Sequence, residues 1–148
     1  MEKARLKIFL DTSALIAGIA SSKGAARELL RLGEIGLVEI CISRQVIVEA
    51  DRNMEAKLPE MLDEYRKYIE SLAPKLTDDP SPKEVKKYSS VINADDAPIL
   101  AAAVASSADC LVTWDKKHFI KKDIRIGTDL KIFTPGEFLK FFREYIED

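Results

Sequence analysis

Short apolar runs alternate with longer stretches of helical spacing along this 148-residue chain, and that alternation limits the available folds more than any other feature. Residues 6–10 read as a buried strand ending at Asp11-Thr12-Ser13. Residues 14–20 and 25–32 read as helical, with Gly33 and Gly36 as stop signals. A second strand is expected over residues 37–42, and Ser43 is placed to cap a helix over residues 44–58. Pro59 opens a further helix through Leu72, with Met61, Leu62, Tyr65, Ile69 and Leu72 at helical spacing. Residues 74–82 carry three prolines and read as a loop, followed by a short helix over residues 83–91. Asp95-Asp96-Ala97-Pro98 opens a strongly apolar helix to Ser106, since proline is tolerated in a first turn. Residues 110–113 form a strand ending at Trp114-Asp115, residues 131–133 a last short strand, and residues 135–146 a closing amphipathic helix. Apolar strands joined through helices give a mostly parallel sheet covered on both faces. The length suits one domain, residues 1–148, with one core.

Composition narrows the class. Apolar residues make up 47% and charged residues 32%, the balance of a soluble globular chain. The longest apolar runs, Ile8-Phe9-Leu10 and residues 98–105, fall far short of the ~20 residues of a membrane span. The first residues lack the apolar segment of a signal peptide, so a cytoplasmic location without a membrane partner is expected. Cys41 and Cys110 sit inside apolar runs and read as buried small hydrophobes. With no Cys-x-x-Cys pair and one histidine, His118, the chain has too few ligands for structural zinc. The net charge of −2 argues against a generally basic nucleic-acid binder. Local charge differs: residues 116–122 form a basic stretch, and Arg44, Arg52 and Lys57 are spread over another segment.

In parallel sheets, sites lie beyond the carboxyl ends of the strands, and two strands here end in aspartate, Asp11 and Asp115. Each also has a local reading. Asp11 would serve as the N-cap of the next helix, and Asp115 would start a turn into Lys116-Lys117. Asp95 and Asp96 precede an apolar helix, where one would cap it and the dipole favours both. Glu49 lies three residues after Val46, beside an apolar stripe of Val46, Ile47 and Ala50. It is either solvated or leaning into a covered face, where a carboxylate needs a partner such as a metal. Several carboxylates converging at one sheet edge repel one another unless a cation neutralises them. All-oxygen ligands suit a hard ion, Mg2+ or Mn2+ rather than zinc. Such ions activate water and stabilise a phosphodiester under in-line attack.

These residues resemble the pattern of the PIN-domain nucleases over nearly the whole chain. Phe9-Leu10-Asp11-Thr12-Ser13 resembles the family's opening strand, whose aspartate is a metal ligand and whose nearby serine supports it. Glu49 matches the family's glutamate on the helix after the second strand. Asp96, in Asp-Ala-Pro-Ile-Leu-Ala-Ala-Ala, resembles the third acidic position, with Asp95 as the adjacent alternative. Leu111-Val112-Thr113-Trp114-Asp115, followed by Lys116-Lys117-His118-Phe119, resembles the closing motif, with Thr113 and Asp115 at the site. The resemblance implies a three-layer α/β/α sandwich around a central parallel sheet. It also implies Mg2+- or Mn2+-dependent endonucleolytic hydrolysis of RNA phosphodiester bonds. Asp11, Glu49, Asp96 and Asp115 would then be the catalytic and metal-holding set, supported by Ser13, Thr113 and Asp95. Arg44, Lys116 and Lys117 would hold flanking phosphates, giving salt-dependent and largely sequence-independent affinity; the alternative for the lysine run is a solvated loop. His118 reads as a turn or packing residue, with a phosphate contact as the alternative. Burial in the core is expected for the lone Trp114, with base stacking as the alternative. Many small prokaryotic members are VapC-like toxins, held by a cognate antitoxin and commonly dimeric. The implied partners are therefore RNA, an antitoxin protein and a second copy of the chain. Phe138, Leu139, Phe141, Phe142, Tyr145 and Ile146 give the last helix more apolar surface than one stripe needs, which core packing and a self-association face would share.

Three rivals are weighed against this reading. A haloacid-dehalogenase-type phosphatase needs a second acid two residues after the first, where this chain has Ser13. A receiver domain needs a mid-chain strand ending in aspartate, whereas the second strand here ends in Ile42-Ser43. The remaining alternative is a non-catalytic RNA-binding or assembly module on the same fold. A binder of polyanions gains nothing from clustered carboxylates.

Overall fold

The computed structural model describes residues 4–90, 92–119 and 129–147, with the backbone alone at His118. Lys121, Lys122, the His118 side chain and Val91 lie outside the described residues. The first strand is β1 (Leu6–Leu10), followed by helices α1 (Thr12–Ala20) and α2 (Ala25–Glu34). Strand β2 (Val38–Ser43) leads into α3 (Arg44–Lys57), a 3-10 turn (Pro59–Met61) and α4 (Leu62–Leu72). Strand β3 (Lys75–Thr77), α5 (Pro82–Lys86) and α6 (Ala97–Ala105) come next. Then follow β4 (Cys110–Val112), α7 (Lys116–Phe119), β5 (Lys131–Phe133) and α8 (Pro135–Glu147).

The five strands form one sheet in the order β3-β2-β1-β4-β5, with every neighbouring pair parallel. Ile8 of β1 stands between Ile40 of β2 and Cys110 of β4, and Leu10 stands opposite Val112. The first two crossovers step away from β1 in one direction, and the crossover from β3 to β4 returns past β1 to its other side. Because parallel crossovers are right-handed, reversing the step moves the connecting helices to the opposite face. Accordingly α1, α2, α3, α4 and α8 pack among themselves, while α6 packs with α5 and β4. The result is the expected α/β/α sandwich, with a wholly parallel sheet among the described residues.

Covering the sheet on both faces explains why its central strands read as unbroken apolar runs. Phe9, Leu10, Ile42, Leu111 and Val112 are all buried, as are Cys41 and Cys110. Burial pushes the Cys41 thiol up to about 11 and the Cys110 thiol to about 12, so both stay protonated and inert near neutral pH. Ser43 caps α3 as expected, its hydroxyl accepting from the Val46 N–H at 3.3 Å. In α8, Phe138 and Phe142 are buried, Leu139, Phe141 and Tyr145 pack against the core, and Ile146 is exposed. No helix among the described residues is long and apolar enough to cross a membrane.

Four local expectations change, the first being the helix read over residues 83–91, which spans Pro82–Lys86. Residues 75–77, read as loop, form the edge strand β3, because the exposed edge of β2 offers ladder partners that three residues of local sequence do not announce. Gly33 does not stop α2 but lies within it. A Cβ there would come within 2.5 Å of Ile40 Cγ1, so the glycine permits close approach of α2 to β2. Gly36, at φ +81°, makes the turn itself. The segment read as a turn after Asp115 is the short helix α7, held by the buried Phe119.

Candidate active site

The strand order changes direction at β1, with β2 on one side and β4 on the other. The crevice beyond the carboxyl ends of β1 and β4 is therefore the topological switch point, where parallel α/β sheets place their sites. Asp11 leaves β1 and the segment 113–115 leaves β4 at this crevice. The two strand ends are joined there, as the Asp11 N–H donates to the Val112 carbonyl at 3.2 Å.

Among the described residues Asp11 is the most enclosed charge, only 7% exposed. Its Oδ1 accepts from the Ser13 hydroxyl at 2.7 Å and from the Ala14 N–H at 3.0 Å, so it also caps α1. Its Oδ2 accepts from the Thr113 hydroxyl. Both hydroxyls are themselves acceptors: Thr113 Oγ1 takes the Asp115 N–H at 2.9 Å, and Ser13 Oγ takes the Trp114 N–H at 3.1 Å. Each hydroxyl has one proton, which it gives to Asp11. Two short relays thus fix the backbone of residues 114–115 to the Asp11 carboxylate.

Glu49 reaches the same place from α3. Its Oε2 accepts from the Thr12 hydroxyl and its Oε1 from the Gln45 side-chain amide, both at 2.9 Å. The glutamate leans inward rather than standing in solvent, and its partners are protein donors. Asp96 sits at the N-cap position of α6, yet its side chain makes no cap hydrogen bond there. The expectation that one of the adjacent pair would cap by its side chain is not met at Asp96, and both residues line the cleft.

One cleft of about 440 Å³ is lined by Asp11, Glu49, Asp95, Asp96 and Asp115, together with Thr12, Ser13, Asn53, Lys57 and an apolar floor that includes Ile16, Met54 and Phe119. All four acids predicted as catalytic share this cavity, as do two of the three supporting residues, Ser13 and Asp95. Thr113 is buried behind it. The predicted phosphate-holding residues are arranged differently. Arg44, Lys116 and Lys117 do not line the cleft. Lys116 Nζ pairs with Glu137 at 2.8 Å, and Arg44 Nε stands 3.4 Å from Asp78 in an exposed pair that is worth little. Trp114 corrects its expectation: it is 50% exposed, because the chain has left the sheet at Thr113 and the next side chain turns outward.

Sequence reasoning missed Thr12, Gln45 and Asn53 and assigned no role to Lys57 within the cleft. The available signal was spacing: Gln45, Glu49, Asn53 and Lys57 recur every four residues and so share one face of α3.

Burial raises the Asp11 carboxyl above its ordinary value, against the lowering effect of the Thr113, Ala14 and Ser13 donors, and the negative charge of Asp115 raises it further. A buried carboxylate held among other acids is the situation a cation relieves. The donor set fits a hard divalent ion: every polar lining atom of the acids is oxygen, and the three donors on Asp11 leave an acceptor direction open on Oδ2. Among the described residues, no three Asp, Glu, His or Cys side chains close in on one point as a finished cage would.

The PIN domain family profile matches residues 7–117 of this sequence. No protein of curated function matches it. Among solved structures, PAE2754 from Pyrobaculum aerophilum superposes with a TM-score of 0.62 at 21% identity, covering 93% of this chain and 96% of that one. FitAcB from Neisseria gonorrhoeae superposes with a TM-score of 0.63 at 19% identity, covering 87% of this chain and 98% of that one. VapBC2 from Rickettsia felis, bound to a DNA fragment from its promoter, superposes with a TM-score of 0.61 at 20% identity, covering 86% and 97%.

Proposed function

Because this chain belongs to the PIN-domain family, whose members are in general nucleases, we propose that it is a divalent-metal-dependent endoribonuclease and the toxin of a toxin–antitoxin pair. The observation that carries the nuclease reading is the convergence of Asp11, Glu49, Asp96 and Asp115 on one cleft at the switch point of the sheet. The toxin reading is supported by the shared fold with the FitAcB and VapBC2 structures and by the resemblance of the acidic motifs.

Asp11, Asp96, Asp115 and Glu49 would hold Mg2+ or Mn2+, directly or through water, with Asp95 beside them. When bound, such an ion would supply Lewis acidity towards a phosphodiester and a water of lowered pKa. The chain's own residues do the positioning. Ser13 and Thr113 orient the Asp11 carboxylate and hold residues 114–115 against it, as supporting groups behind a metal ligand do. Thr12 and Gln45 hold Glu49 so that its carboxylate faces the cleft. The apolar floor of Ile16, Met54 and Phe119 limits bulk water beneath the acids and strengthens every charge interaction above it. The half-exposed Trp114 beside Asp115 offers a stacking face for an unpaired base, which favours single-stranded or loop RNA over a duplex.

The test is cleavage of single-stranded RNA with Mg2+ or Mn2+ and with EDTA. Cleavage that EDTA stops and Mn2+ restores is expected. Trp114 is the single tryptophan of the chain, so quenching of its fluorescence reads RNA binding in the same samples. Binding without cleavage in either metal would favour the binding-module alternative, and cleavage indifferent to EDTA would remove the metal from the mechanism.

A further inference from the structure

We propose that Lys57 binds an RNA phosphate flanking the one that is cleaved, and that the face of α3 carrying Glu49, Asn53 and Lys57 is the track along which the strand leaves the acidic cleft. The word "cleaved" rests on the nuclease reading above; the phosphate contact itself rests on geometry.

Lys57 is the one cation among the described residues that lines the cleft. It is exposed and forms no ion pair with any described residue. By contrast, Lys116 is held by Glu137 and Arg44 stands beside Asp78, both away from the cavity. Glu49, Asn53 and Lys57 lie two helical turns apart end to end on one face of α3, which places the ammonium group's helix position about 12 Å along the axis from the glutamate. That backbone separation suits a neighbouring phosphate of an extended strand rather than the one at the carboxylates. Asn53, halfway along, contributes an amide able to donate or accept on the sugar–phosphate backbone. Among the described residues that line the cleft beside its five carboxylates, Lys57 alone offers a polyanion an attractive charge.

A lysine in the last turn of a helix also has a plain explanation, since it complements the negative end of the helix dipole. That role accounts for a cation at the end of α3 but not for its lining the cleft, and the two roles move different observables. The test titrates wild type, Lys57→Gln and Lys57→Arg with a labelled single-stranded oligouridylate in Ca2+, a hard ion that neutralises the carboxylates, over a range of KCl concentrations. Lys57→Gln is expected to bind about three- to tenfold more weakly at low salt. Its plot of log affinity against log salt should be shallower by about 0.7, the loss of one contact to a single strand. Lys57→Arg should restore both. Equal slopes for wild type and Lys57→Gln overturn the proposal even where melting temperatures differ, and so does a wild type that fails to bind. Cleavage in Mg2+ is read separately, on the oligouridylate and on bis(p-nitrophenyl) phosphate, which has no flanking phosphate. Lys57→Gln should raise KM on the oligonucleotide and leave the small diester unchanged; loss on both would make Lys57 part of the metal site and overturn the proposal. A wild type that binds through Lys57 but cuts neither substrate defeats the nuclease reading and leaves the phosphate contact standing.

Discussion

Asp11 combines three jobs in one side chain: it ends β1, caps α1 and receives the Ser13 and Thr113 hydroxyls. Its carboxyl is raised by burial, and a raised acid binds more protons folded than unfolded between the two pKa values. Stability therefore falls as pH rises through that window, and the ionised form is a continuing cost above it. Asp11→Asn keeps a capping oxygen and removes the titration. In thermal melts from acid to neutral pH, the difference in Tm between variant and wild type should move in the variant's favour as pH rises from the ordinary carboxylate range. A difference that stays constant would refute this account of Asp11. Thr113 is fully buried and donates to that same carboxylate. Thr113→Val should lower unfolding free energy by about 1–3 kcal/mol, the usual consequence of leaving a buried polar group short of a partner, while Thr113→Ser should be tolerated; urea unfolding measures both. Asp11 and Asp115 were legible in the sequence because a strand end is a fixed place in a parallel sheet. Glu49 was marked out only by the family resemblance, since its local sequence alone reads equally as a surface glutamate; the structure adds Thr12 and Gln45 as its partners. Trp114 misled because an indole signals burial only when its backbone is known to face the core.

At the scale of elements, the close packing of α1 on α2 is the feature most open to test. A Cβ on Gly18 would lie 2.5 Å from Leu30 Cδ1 and 3.0 Å from the Ala26 carbonyl oxygen. Leu30 is wholly buried and the carbonyl is backbone, so neither can move away freely. Gly18→Ala should destabilise the protein by about 1–3 kcal/mol in denaturant unfolding, as overpacking does, although alanine is the better helix former. If the variant is more stable than wild type, the two helices are not in this contact. The alternation of apolar runs predicted β1, β2, β4, β5 and the long helices well, because burial on both faces leaves a continuous apolar signal. It did not reveal β3, an edge strand whose Lys75 and Leu76 face outward, nor α7, whose one turn depends on burying Phe119. Strand order was not legible either, yet it is strand order that turns two separate strand-end aspartates into neighbours.

For the whole molecule, a net charge of −2 leaves no broad field to draw RNA in. On the proposed reading, recognition would come from a bound divalent ion and a few local contacts, which gives the acidic cleft and Lys57 more weight than overall basicity. The homodimer implied by the family resemblance is checked by sedimentation equilibrium. A species of twice the 16.6 kDa chain mass is expected, and a monomer at all concentrations would set that expectation aside. In α8, Phe138 and Phe142 are buried, Leu139, Phe141 and Tyr145 are partly buried against the core, and Ile146 is exposed. The central claim is that the carboxylates at the β1–β4 switch point are a metal-dependent nuclease centre. It is tested most directly by cleavage of single-stranded RNA in Mn2+ by wild type and Asp11→Asn, with melting curves establishing that both are folded. The account predicts cleavage by the wild type, stopped by EDTA, and its loss in the folded variant; equal cleavage by the two proteins would contradict it.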